Sequence, residues 1–180
     1  IRYGFVDPGL LRLLSPKRRA LELANPLSAE LGEMRVSLWP GLVEALRFNL
    51  RRQQERVRLF EVGTRFEIED GRLVESQGIA GLVAGPVLPE QWGAPKRDAD
   101  FYDVKSDVET LFALTGRQAV ISYVAAAHAT LHPGRSASIL DGSLRIGWIG
   151  QLRPEIARKL ELRDAPWMFE IAIDPSFRSE

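Results

Sequence analysis

The spacing of the apolar residues changes abruptly in the first half of the chain, and this change constrains the fold most. Residues 37–55 carry apolar side chains every four positions, and Pro40 lies where the first turn of a helix does not need an N–H group. Residues 57–68 instead direct successive side chains to two faces with a period of two. We therefore expect a helix followed closely by a long strand.

The strand predicted over 57–68 has two unlike faces. One face carries Phe60, Val62, Thr64, Phe66 and Ile68, and the other carries Leu59, Glu61, Gly63, Arg65 and Glu67. Because Glu61 shares its face with Leu59, we expect it to be partly enclosed, and an enclosed carboxylate needs a cationic or N–H partner. Arg35 is the partner that we expect.

Two Asp-Gly steps, at 70–71 and 141–142, favour tight hairpin turns. Further apolar patterns predict strands over 77–84, 120–124, 136–140, 144–150 and 167–173, helices over 103–115 and 154–162, and a turn at 25–28. Hairpins with interspersed helices, without repeated strand–helix–strand units, predict an α+β fold on a mainly antiparallel sheet.

Composition bounds the class of protein. The 180 residues include 24 Lys and Arg, 24 Asp and Glu, and no Cys, which fits one soluble domain with a real core. The balanced charge argues against a domain devoted to gripping phosphates, and the missing thiols exclude disulfides, thiolate metal sites and a cysteine nucleophile. Without a run of about 18 apolar residues or a signal sequence, the chain is predicted to be neither membrane-spanning nor secreted. The first residue is not Met, so we expect a piece of a longer protein.

Four stretches carry a resemblance to a known family. They are NPLSAELGEMRVSLWPGLVEALRFNLRRQQERVRLFEVGTRFE at 25–67, DFYDVKSDVETLFALTG at 100–116, LHPGRSASIL at 131–140 and IGWIGQLRPEIARKLEL at 146–162. In this order they resemble the core of the bacterial phenylalanyl-tRNA synthetase beta subunit. Ser106 departs from the glycine frequent in that family, a change that favours helix.

The resemblance implies a class II aminoacyl-tRNA synthetase-like antiparallel sheet flanked by helices. Residues 1–180 would form a single catalytic-like core domain, a fragment of a longer cytoplasmic beta subunit, and would be inactive alone. The resemblance further implies a heterotetramer with a catalytic alpha subunit that charges tRNA(Phe) with phenylalanine, using ATP and magnesium. We expect no cofactor on this segment.

The residues themselves offer little catalytic chemistry. Arg65-Phe66-Glu67 matches the class II pattern of arginine, any residue, glutamate, so a small adenylate-forming enzyme that uses Arg65 and Glu67 is one alternative. The second class II pattern needs a late glycine, and no glycine follows Gly150. We predict no catalytic, cofactor-binding or metal-binding residues.

His132-Pro133-Gly134-Arg135 allows two interpretations. His132 is a candidate base for a hydrolase, because Ser136 and Ser138 lie nearby. Pro-Gly is primarily a turn former, however, so we favour a structural role for His132 and Gly134 in a tight turn that leads into a hairpin.

The helix over 37–55 also presents a basic face, formed with neighbouring positions by Arg47, Arg51, Arg52, Arg56 and Arg58. A direct tRNA-binding module is the alternative that this face supports; a solvated face or a subunit contact is the interpretation we favour. The apolar stripe of this helix is expected in the core. For the subunit interface we name Trp39, Leu46, Phe48, Asn49 and Arg52.

Overall fold

The computed structural model describes residues 4–16, 20–21, 32–69, 71–93, 95–116 and 120–173, and the turn predicted at 25–28 lies outside them. The elements are β1 (Phe5–Val6), α1 (Pro8–Leu14), β2 (Glu33–Met34), α2 (Trp39–Leu50), β3 (Val57–Glu69), β4 (Arg72–Ala84), α3 (Phe101–Leu114), β5 (Ile121–Ala125), β6 (Leu131–Asp141), β7 (Leu144–Leu152), α4 (Pro154–Lys159) and β8 (Trp167–Ile173).

Six of the strands form one antiparallel sheet in the order β3-β4-β8-β7-β6-β5. The last strand of the chain, β8, therefore lies in the middle, between β4 and β7. β1 and β2 form a separate two-stranded sheet. The α+β prediction on an antiparallel sheet is confirmed.

The β3–β4 hairpin confirms the period-two pattern of the sequence. Leu59 pairs with Leu82 and Glu61 with Ala80 on one face, while Phe60 pairs with Gly81 on the other. Strand β4 begins at Arg72, earlier than the pattern indicates, because its first six residues are largely exposed and carry no buried signature. Gly71 and Gly142 adopt the positive φ that their tight turns require.

Helix α2 is shorter at both ends than predicted. It begins at Trp39 because the Leu38 N–H and the Ser37 hydroxyl are held by the carboxylate of Glu170. It ends at Leu50 because the chain turns through Gln53, whose φ of 61° leaves the right-handed helical region.

Helix α3 begins with a reciprocal capping box between Asp100 and Asp103, two residues before the predicted start. Gly116, with a φ of 69°, follows the Thr115 cap, where a helix C-terminus favours glycine. Helix α4 ends at Lys159, earlier than predicted, and Glu161 has a φ of 57°.

The predicted tight turn at residues 132–135 is wrong. These residues belong to β6, and the pairing of β6 with β7 shifts its register between Leu131 and Ser136. The irregularity accommodates Pro133, which has no N–H to donate to a regular ladder. His132 and Gly134 therefore lie in a bulged strand, where the Gly134 N–H donates to His132 Nδ1.

The sheet separates two cores. The first face packs against α1, α2 and α4 through a cluster that includes Leu42, Leu82 and Met168. The second face packs against α3 through Val104, Phe169 and their neighbours. Among the described helices, none is long and apolar enough to cross a membrane.

Candidate functional site

The first face of the sheet carries a buried carboxylate at its centre, that of Glu170 on β8. One of its oxygens accepts hydrogen bonds from the Ser37 hydroxyl, and the other from the Leu38 N–H, both at 2.8 Å. The guanidinium of Arg65 on β3 lies 3.8 Å from the same carboxylate. A buried carboxylate needs such donors to remain ionised, so this cluster ties β3, β8 and the entry to α2 together.

A second ion pair lies beside the first. Arg35 donates to a carboxylate oxygen of Glu61 at 2.5 Å and to the Thr64 carbonyl at 2.8 Å. The predicted partnership of Arg35 and Glu61 is therefore present, and both side chains are only 11% exposed.

Two glycines make room for these guanidinium groups. Gly63 and Gly78 pair directly across β3 and β4 on the first face. A Cβ atom would lie 2.3 Å from Arg35 Nη2 if added at Gly63, and 3.0 Å from Arg65 Nε if added at Gly78. Both arginines therefore lie flat on bare backbone, a position that side chains would block.

This arrangement occupies the one arginine that matches a class II catalytic pattern. Arg65 is 7% exposed and faces Glu170, so the expectation of a solvated strand pair does not hold for Arg65. Glu67 is partly buried. Sequence reasoning did not find Glu170, although one acidic residue within the apolar strand WMFEIAI is a usable signal for a buried, partnered carboxylate.

A cavity of about 210 Å³ opens next to Glu170. Three rings line it: His128 lies between Trp39 and Trp148, with ring centroids 5.3 Å and 4.8 Å away. The Thr130 N–H donates to His128 Nδ1. Across the described ranges, no three His, Asp or Glu residues are grouped so that they could hold a metal ion, and these residues therefore do not fit a magnesium site.

The residues considered for a hydrolase are not assembled. The hydroxyl groups of Ser136 and Ser138 donate to the carbonyls of Ala126 and Val124. His132 Nδ1 accepts from the Gly134 N–H. The serines thus link β6 to the chain beside it, and the structural interpretation describes them better.

The residues named for the subunit interface fall into two groups. Trp39 and Leu46 are 2% and 0% exposed, because they pack in the first core, so they cannot contact a partner surface. Phe48 is 54% exposed, and the Arg52 guanidinium lies 3.4 Å from its ring centroid. Asn49 donates to the Ala45 carbonyl within the same helix. For Phe48, Asn49 and Arg52, a place in the interface stays a prediction.

The basic face is divided among different contacts. Arg58 binds Asp107 of α3 at 3.1 Å, and Arg56 donates twice to the Val87 carbonyl. Arg52 stacks on Phe48. Direct tRNA binding by this face stays a prediction, with at least these three arginines already engaged inside the chain.

Two groups near α3 have shifted pKa values. The hydrogen bonds from Arg97, at 2.7 Å and 2.8 Å, lower the pKa of Asp103 to about 2. Burial, with a contribution from the charge of Glu109, raises the pKa of Tyr123. Neither group faces the Glu170 cluster, so both shifts reflect local structure.

Comparison with known proteins places the chain among tRNA ligase subunits. Phenylalanine–tRNA ligase beta subunits are 47% identical in Methylococcus capsulatus, 44% in Nitrosococcus oceani and 46% in Pseudomonas putida. These matches cover 95%, 97% and 96% of this chain but 22% of each relative. The chain thus spans about a fifth of the length of these relatives.

Solved structures agree at the level of the fold. Two structures of pyrrolysyl-tRNA synthetase from Desulfitobacterium hafniense superpose with TM-scores of 0.66 and 0.62, at 15% and 14% identity. Each covers 96% of this chain, with 56% and 59% of the synthetase chains matched. The fold is therefore that of the class II synthetases. The sequence model of the phenylalanyl tRNA synthetase beta chain CLM domain matches residues 1–173, and the chain belongs to this family.

Proposed function

We propose that this chain is a non-catalytic, class II synthetase-like module of a phenylalanine–tRNA ligase beta subunit. Residues 1–180 act as one catalytic-like core domain of a longer subunit. The module packs against the catalytic alpha subunit in the cytoplasmic assembly that charges tRNA(Phe), and ATP and magnesium act in that complete enzyme. Family membership and the beta-subunit identity of the relatives support this role.

The observation that carries the non-catalytic part is the placement of Arg65. An adenylate-forming site needs cations that are free to bind phosphate oxygens. Arg65 is buried, lies flat on Gly78 and faces the carboxylate of Glu170. Releasing it for a nucleotide would leave Glu170 buried with one cation fewer, which is unfavourable.

The exposed face of α2 is the surface that we assign to the alpha subunit. Phe48 and Arg52 form a stacked pair on this face. Aromatic and arginine side chains dominate the binding energy of many interfaces, since they bury large areas while few rotamers must be fixed. The pair is already ordered within the helix, which lowers the entropy lost on binding.

ATP–pyrophosphate exchange with phenylalanine tests the catalytic assignment. The purified chain is expected to show no exchange above a protein-free reaction, and phenylalanine-dependent exchange is expected when the alpha and full beta subunits are combined. Exchange by the chain alone that Arg65→Ala abolishes, and that Arg72→Ala on the exposed start of β4 leaves intact, would establish an adenylate-forming site instead.

A further inference from the structure

The second face of the sheet is covered unevenly. Helix α3 packs over β8 and β7 and leaves much of β3 and the beginning of β4 bare. The exposed apolar residues on this bare strip are Phe60 (77%), Val62 (56%), Ile68 (36%) and Leu73 (46%). Cross-strand pairing places all four on one side of the hairpin, so they form a continuous apolar surface.

The strip forms a groove with α3. A depression of about 340 Å³ runs between the helix and the edge strand, and its lining includes Phe60, Ile79, Gly81, Thr110, Leu111 and Phe169. The ring of Phe169 lies over Gly81 and forms the floor, since a Cβ atom there would approach the ring to 2.2 Å. One wall is therefore a strand and the other a helix.

The width of the bare strip matches one helix. Neighbouring strands lie about 4.8 Å apart, so two strands span roughly 10 Å. Packed helices have axes about 8–10 Å apart, so a second helix beside α3 would rest on β3 and β4. An amphipathic helix that lies in an apolar groove anchors itself through side chains at positions i, i+3 or i+4, and i+7.

The charges at the groove are already balanced. Arg58 and Asp107 line it, one on the strand and one on the helix, and bind each other at 3.1 Å. Lys105 and Glu109 form a further pair along α3. The surface thus offers apolar side chains without an excess charge, and the complementary occupant is an uncharged apolar stripe rather than a nucleic acid.

We propose that the groove between α3 and β3 holds an amphipathic helix from the same beta-subunit polypeptide, contributed by a part outside this chain. The relatives are several times longer than this chain, so they supply such a segment. Ile173, the last residue of β8, pairs with Gln77 of β4, so the polypeptide leaves the sheet beside the strip. A tethered helix also binds at a high effective concentration, which suits a permanently apolar surface.

This proposal rests on the assignment to the beta subunit but not on the alpha contact, which lies on α2 across the sheet. The test is therefore performed on the full-length beta subunit without alpha. Single Val62→Cys and Val124→Cys variants are treated with a maleimide, and the labelled peptides are quantified by mass spectrometry. The two valines are a matched pair, because each lies on an edge strand, at 56% and 50% exposure.

We expect Cys at position 62 to be labelled at least about tenfold more slowly than Cys at position 124, because a docked helix must leave before the reagent can enter. Equal rates at the two positions would overturn the proposal. Protection of position 62 that appears only after alpha is added would assign the groove to the partner subunit instead. Protection that rises with protein concentration would assign it to a second copy, and would equally overturn the proposal.

Discussion

At the scale of single residues, the carboxylate of Glu170 holds the buried cluster together. It accepts from Ser37 and Leu38 and faces Arg65. Glu170→Ala leaves a buried guanidinium without this partner, and we expect a loss of about 3–5 kcal/mol in the free energy of unfolding, measured in urea. Glu75→Ala, on the exposed part of β4, is the control, with a change within about 0.5 kcal/mol. Equal losses in the two variants would show that Glu170 is a surface-like residue.

The pair of Arg97 and Asp103 makes a prediction about pH. Because the pKa of Asp103 is lowered from 3.8 to about 2, its ionised form is favoured by folding. The resulting stability is complete above the ordinary carboxyl pKa and is lost as the pH falls from about 4 to about 2. Arg97→Ala should raise the pKa of Asp103 towards its ordinary value in a carboxyl NMR titration. An unchanged pKa would mean that the Asp100 N–H, which also donates to Asp103, is the dominant cause.

At the scale of the elements, close packing of β7 against β8 fixes the position of the cluster. A Cβ atom at Gly147 would lie 2.4 Å from the Glu170 backbone oxygen, so Gly147→Ala must push the two central strands apart. We expect thermal unfolding to show a loss of about 1–3 kcal/mol or more. Gly134→Ala, whose Cβ meets only His132 at 3.6 Å, should cost little. A stability equal to that of Gly134→Ala would contradict this packing.

The sequence predicted elements better than it predicted their neighbours. The faces of β3 followed from period two, and Arg35 was correctly paired with Glu61 because an enclosed acid beside Leu59 requires a cation. The central position of β8 depends on contacts between residues far apart in the chain, so no local pattern indicates it. Pro133 and Gly134 mark a bulge as readily as a turn, and the competing strand pairing decided between them.

Helix boundaries show the same dependence on distant contacts. A serine before a helix usually indicates a cap, but the Ser37 hydroxyl donates to Glu170 on the last strand of the chain. The interface prediction for Trp39 failed for a related reason. Its indole N–H donates to the Phe169 carbonyl, which anchors the helix on the central strand. An aromatic residue on a helix gives no indication in the sequence of whether it faces the core or a partner.

At the scale of the whole molecule, the sheet presents different surfaces on its two sides. The first face is sealed by the helices and the buried ion pairs, with the exposed side of α2 beyond it. The second face keeps an apolar groove beside α3. A module with two such surfaces is suited to joining parts of a larger assembly, which is the role that we propose for it.

The affinity of the chain for the alpha subunit tests this central claim most directly. Titration calorimetry with purified alpha should show binding, and Phe48→Ala should weaken it by at least about tenfold, as expected for an exposed aromatic anchor. Leu144→Ala, an equally exposed apolar residue in the β6–β7 hairpin, is the matched control and should bind like the wild type. No binding by the folded wild-type chain, or equal affinities for the Phe48→Ala and Leu144→Ala variants, would contradict the account.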